Sequence, residues 1–156
     1  MHITRRIFLT ALTSTAASVA VLGAATRARA AQPWFYQADG AAIDGYDAVA
    51  YFAEGKPLKG ERSFSVMWKG ANWYFASAQN RDRFEMDPHA YAPQYGGYCA
   101  YAVSRGYTAR IDPHAWRIVD EKLYLNYSRP VRALWARDIP GNILKANANW
   151  PDVLER

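Results

Sequence analysis

Apolar and polar positions alternate along residues 63–75, and this period of two predicts a β-hairpin. Phe64, Val66 and Trp68 share one face, Lys69-Gly70-Ala71-Asn72 supplies the turn, and Trp73 and Phe75 return the apolar side to the core. Ser77 is placed to cap a helix over residues 78–86. Asp87-Pro88 ends that helix, because the residue before proline is pushed out of the α region, and Pro88 opens a second short helix through Tyr91. Pro93-Gln94-Tyr95-Gly96-Gly97 reads as a loop, followed by an almost uncharged helix from Gly97 or Tyr98 to Arg105, with Gly106 as its stop. Residues 115–127 repeat the hairpin pattern with Asp120-Glu121 at the turn. Ser128 then caps a helix whose Val131, Leu134 and Trp135 form a core-facing stripe. Pro140-Gly141 is expected to break it, and a last helix covers residues 142–148. The order of elements predicts an α+β fold: a small single domain with two β-hairpins, each followed by helices. The two hairpin-then-helix halves read as only loosely alike, and no repeat is assigned.

Residues 1–30 have a different pattern. Arg5 and Arg6 precede an apolar, small-residue run, and Ala28-Arg29-Ala30 has the small-x-small spacing of a signal-peptidase site. Thr4-Arg5-Arg6-Ile7-Phe8-Leu9 resembles the twin-arginine export signal. The expectation is a removed signal peptide over 1–30, a mature domain over 31–156, a periplasmic location and no membrane span after removal. The whole chain carries a formal charge of +5, but four arginines and no acidic residue leave with the signal, so 15 basic and 14 acidic side chains remain. A mature protein so near neutrality has no long-range field for nucleic acid or anionic lipid. One cysteine, Cys99, excludes an internal disulfide, and the six Trp and eleven Tyr of the chain must supply the packing instead.

Three stretches carry a family resemblance: Gly45-Tyr46-Asp47-Ala48-Val49-Ala50-Tyr51-Phe52; Trp73-Tyr74-Phe75-Ala76-Ser77 with Phe84 and Asp87-Pro88-His89-Ala90-Tyr91; and Tyr95-Gly96-Gly97-Tyr98-Cys99-Ala100-Tyr101. Together they resemble the YHS domain family, specifically its exported stand-alone members. The resemblance implies a small α+β module of a kind found attached to metal-transporting ATPases and linked to heavy metals such as copper. The chain departs from the metal-associated members where their thiols stand. Their D-P-V-C-G run is Asp47-Ala48-Val49-Ala50-Tyr51 here, with Ala50 at the cysteine. Their F-C-S-x-x-C run is Phe75-Ala76-Ser77-Ala78-Gln79-Asn80, with Ala76 and Asn80 at the cysteines.

Any thiol chemistry therefore rests on Cys99. In the first turn of a helix its thiolate would be stabilised by free N–H groups; packed among Tyr98, Ala100 and Tyr101 it would be a small buried hydrophobe. His89 and His114 are the only imidazoles after residue 30, at spacings from Cys99 that match no metal motif, so the fold would have to bring them together. Asp47 is placed to cap the turn or helix over residues 49–52. The leading functional expectation is a non-catalytic binding module. It would hold a small ligand beside Gly96, Gly97, Tyr98 and Tyr101, or a metal ion, copper or zinc, at Cys99 with His89 or His114. The alternatives are a single-thiol redox protein using Cys99 as nucleophile, which needs an exposed sulfur and a cation such as Arg105 or Arg110, and a scaffold in which Cys99 is filler.

Overall fold

The computed structural model describes residues 31–156; the expected signal segment over 1–30 lies outside the described residues. The fold is α+β, a small single domain with two β-hairpins, each followed by helices. β1 (Gln37–Ala38) and β2 (Ala41–Ala42) form a short ribbon, and helix α1 (Ala50–Ala53) follows. The first hairpin is β3 (Glu61–Trp68) and β4 (Ala71–Phe75), leading into α2 (Ala78–Met86) and α3 (Pro88–Tyr91). After a turn at Gln94–Gly97 come α4 (Ala100–Ser104), the second hairpin of β5 (Asp112–Val119) and β6 (Lys122–Asn126), then α5 (Arg129–Trp135) and α6 (Ile139–Asn149). The first sheet has the order β1-β2-β4-β3, with β2 parallel to β4 and the other pairs antiparallel; β5-β6 forms a sheet of its own.

The caps read from the sequence close as real bonds. Ser77 Oγ accepts from Asn80 N at 3.2 Å, and Ser128 Oγ accepts from Val131 N at 3.3 Å, each satisfying a free donor of a first helical turn. Both hairpin turns are two residues long, and all four turn residues, Lys69, Gly70, Asp120 and Glu121, have positive φ, the twist that matches the flanking strands. Three expectations are corrected. Pro140 does not break a helix: it sits in the first turn of α6, where its missing N–H costs nothing, and Asp138 caps that turn by accepting from Gly141 N at 2.9 Å. Leu134 does not face the core; it is 38 % exposed while Trp135 next to it is fully buried. Helix α4 begins at Ala100, not at Gly97 or Tyr98, because Tyr95, Gly96 and Gly97 are all left-handed and cannot open a right-handed helix.

One core cluster holds Ile43, Trp73, Phe75 and Phe84 and reaches Leu123 and Leu125; the other holds Tyr95, Val103, Tyr124, Trp135 and Val153. Full burial of a Phe-sized side chain contributes about 1.5–3 kcal/mol, so two such rings match the ~2–4 kcal/mol of a disulfide, which this chain cannot form. Among the described residues, no helix is long and apolar enough to cross a membrane.

Candidate functional site

Cys99 occupies the N-cap of α4, one residue before the first turn, and is 1 % exposed. Its sulfur accepts from Tyr127 N at 3.2 Å and its S–H faces Asn126 Oδ1 at 3.8 Å. Burial pushes the thiol's pKa up, against a smaller pull down from the N–H groups of Ala102, Tyr127 and Tyr101. The cations a reactive thiol would need are committed elsewhere. Arg105 lies 4.7 Å over the Tyr101 ring and Arg110 lies 4.5 Å over that of Tyr127, and each also donates to the hydroxyl of its ring partner. A buried thiol with a raised pKa and no cation beside it is a poor nucleophile at neutral pH. Yet it is not bare filler either, because its sulfur accepts a backbone hydrogen bond.

The imidazoles stand apart from it. His89, on α3, meets the Trp68 ring edge-on at 5.2 Å, and His114, on β5, meets Tyr46 at 5.8 Å. Among the described residues, no group of three or more His, Cys, Asp or Glu side chains is arranged to hold a metal ion. Ala50, Ala76 and Asn80 do not fit a soft metal: the alanine side chains have no donor atom, and Asn80 offers only an amide, buried and donating through Nδ2 to Asp47 Oδ2 at 2.7 Å. Asp47, fully buried, closes the turn over residues 49 and 50 that the sequence reading expects, and beyond that reading it is a clip between elements. It also accepts from Val49 N at 2.8 Å, Ala50 N at 3.1 Å and Ala76 N at 2.9 Å, tying α1 to the end of β4.

The glycine pair leaves no open approach for a ligand, because the chain fills it. The Gly96 carbonyl accepts from Tyr36 N at 2.8 Å, and a Cβ on Gly96 would collide with the Trp34 carbonyl oxygen. A Cβ on Gly97 would stand 2.7 Å from Ile43 Cγ2. Tyr98 donates to Pro33 O at 2.8 Å, and Tyr101 packs along the first core with its hydroxyl on Arg105, so neither forms a wall around the sulfur.

The open space lies on the other side of the Gly96 turn. A cleft of about 210 Å³ is walled by Trp34, Trp68, Tyr95 and Trp150, with Lys69 and His89 at its polar margin. Trp34 and Trp150 meet edge-on at 5.3 Å, and Lys69 Nζ stands 4.8 Å over the Trp68 ring. Trp34 remains 48 % exposed. His89, Ala92 and Gln94 also line an adjoining hollow of about 490 Å³ whose far wall carries Asp120 and Glu121. The structure thus brings His89 and Gly96 to one cleft and leaves Gly97, Tyr98, Cys99, Tyr101 and His114 outside its lining. Sequence reasoning missed Trp34, Trp68, Lys69 and Trp150. They come from the start, the first hairpin turn and the end of the domain, and no local spacing relates them.

An α+β module with a hairpin, a serine-capped helix and a proline-opened short helix is the class these elements define. Within it, residues 49–95, from α1 to the left-handed turn, match the YHS domain family. No curated protein and no solved structure matches the chain.

Proposed function

We propose that the protein is an exported, non-catalytic binding module that takes a small planar ligand in the cleft between Trp34, Trp68, Tyr95 and Trp150. The observation that carries this reading is the convergence of three indoles and a phenol, from four separate segments, on one partly open hollow with a lysine and an imidazole at its margin. Aromatic walls favour a flat apolar body, and Lys69 favours an acidic substituent on it. A volume of about 210 Å³ suits a ligand of one ring or a fused pair. Copper and zinc do not belong to this reading, since neither Cys99 nor the former thiol positions assemble a donor set.

Benzoate and indole are suitable probes, followed by NMR through the indole N–H resonances. Benzoate should move the signals of Trp34, Trp68 and Trp150 together, and Trp34→Ala, at the half-exposed wall, should weaken binding at least tenfold while leaving the rest of the spectrum in place. Shifts confined to other residues, or no saturable shift with either probe, would remove the cleft as the binding site.

A further inference from the structure

The two halves of the chain carry the same features in the same order, 52 positions apart up to the helix start and 51 positions apart after it. Ile43-Asp44-Gly45 and Tyr95-Gly96-Gly97 are both runs of three left-handed residues. In each run the first carbonyl accepts from the N–H three residues on: Tyr46 N to Ile43 O at 3.1 Å, and Tyr98 N to Tyr95 O at 3.0 Å. The next backbone N–H reaches the segment before the hairpin in both halves: Asp47 N to Leu58 O at 2.9 Å, and Cys99 N to Ala109 O at 3.1 Å. Gly55 and Gly106, both with positive φ, follow α1 and α4. The hairpins pair strands of 8 and 5 residues in both halves, with β5 and β6 starting 51 positions after β3 and β4. Ser77 and Ser128, then Asp87 and Asp138, cap matching helices. Trp73 packs on Phe84 at 5.0 Å and 31°; Tyr124 packs on Trp135, 51 positions later, at 5.2 Å and 34°.

A left-handed run that includes Ile or Tyr is uncommon and costs energy at each residue, so its recurrence at the same place in two halves is not a by-product of hairpin folding. We propose that the chain is an internal duplication, in which residues 95–149 are a second, diverged copy of the YHS unit and Cys99 stands in the place of Asp47 as the acceptor that ties a helix start to the end of its hairpin. Gly45-Tyr46-Asp47-Ala48-Val49-Ala50 then corresponds to Gly97-Tyr98-Cys99-Ala100-Tyr101-Ala102. Asp47 takes the N–H groups of Val49, Ala50 and Ala76. Their counterparts are Tyr101, Ala102 and Tyr127. Tyr127 N donates to Cys99 Sγ at 3.2 Å, and Tyr101 N donates to Asn126 Oδ1 at 3.2 Å. Ala102 N has no such bond to the Cys99 side chain, which marks where the second unit has diverged. Cys99 and Asn126 thus divide between them what the one carboxyl group does in the first copy. This explains why the only thiol is buried and yet hydrogen-bonded. It also places the proposed ligand cleft beside the seam between copies, where His89, Ala92 and Gln94 lie; the duplication does not depend on the ligand.

The test compares Cys99→Asp with Cys99→Val by thermal melting of the full chain at pH 7. A cysteine that only fills space predicts that Val is nearly neutral and Asp ruinous. Equivalence to Asp47 predicts the reverse, with Cys99→Asp melting about 4 °C or more above Cys99→Val and losing that lead in acid as the new carboxylate is protonated. A Val variant that melts as high as the Asp variant, or that alone folds, overturns the proposal. In the unaltered protein, hydrogen exchange supplies a second reading. The Tyr127 amide should be protected to the level of Ala76, and fast exchange at Tyr127 would also overturn it.

Discussion

Tyr36 and Tyr98 hold the first described segment of the chain in place. Their rings meet edge-on at 5.7 Å, Tyr36 N donates to the Gly96 carbonyl, and the Tyr98 hydroxyl donates to Pro33 O. Burial pushes both phenols up to about 12; Asp44 adds to the shift at Tyr36, and Tyr36 adds to that at Tyr98. A phenol with a raised folded pKa favours the fold while it is protonated. Its contribution is whole below the unfolded value of about 10 and is lost as pH rises toward the folded value. Thermal stability should therefore fall steeply between pH 10 and about 12, in step with phenolate absorbance. Replacing both residues by Phe should make that fall shallower without removing it, since burial also raises Tyr51, Tyr95 and Tyr124; an unchanged slope would assign it to those groups. Cys99 shows the limit of reading a residue from its neighbours in sequence. Tyr98, Ala100 and Tyr101 foretell its burial, but the atoms that bond its sulfur belong to residues 126 and 127.

At the scale of elements, the local signals were strong where a side chain meets its own backbone. Ser77, Ser128 and Asp87 each bond an N–H three residues on, and such bonds are written in the sequence. Ser77→Ala and Ser128→Ala should each cost about 1 kcal/mol in urea unfolding, and by similar amounts if the two helices are copies of one unit. A cost below ~0.3 kcal/mol at both would show that packing of Phe84 and Trp135, not capping, sets the ends of α2 and α5. The elements that misled the sequence reading are those where a neighbour decides. Pro140 opens α6 because Asp138 folds back as a cap, and Gly97 cannot start α4 because it ends the left-handed run Tyr95-Gly96-Gly97, which Tyr36 N anchors at the Gly96 carbonyl.

For the whole molecule, the export reading places the folded domain outside the cytoplasm, and Arg5-Arg6 is its test. With the full-length chain, replacing both by Lys should abolish appearance in the periplasm, as should loss of the host's twin-arginine translocon. Continued export in both cases would assign the signal to the general secretory route. The overall architecture matches the same scale of reasoning. Two hairpins, each delivering a helix to a core cluster, are legible from alternation and caps alone.

What the sequence by itself determined was the α+β class, the two hairpins with their turns, the serine caps, the cap that Asp47 sets on the turn after it and the YHS resemblance around it. All of these rest on residues a few positions apart, where spacing is geometry. What only the tertiary structure decided was how distant segments meet. It set Trp34, Trp68 and Trp150 around one cleft, packed Gly96 against the Trp34 carbonyl, separated His89 and His114 from Cys99, and put the features of two halves in matching order. A duplicated unit can exchange Asp for Cys and Phe for Asn and still bond the same N–H groups. The backbone conserves the pattern, and the side chains that satisfy it are free to change.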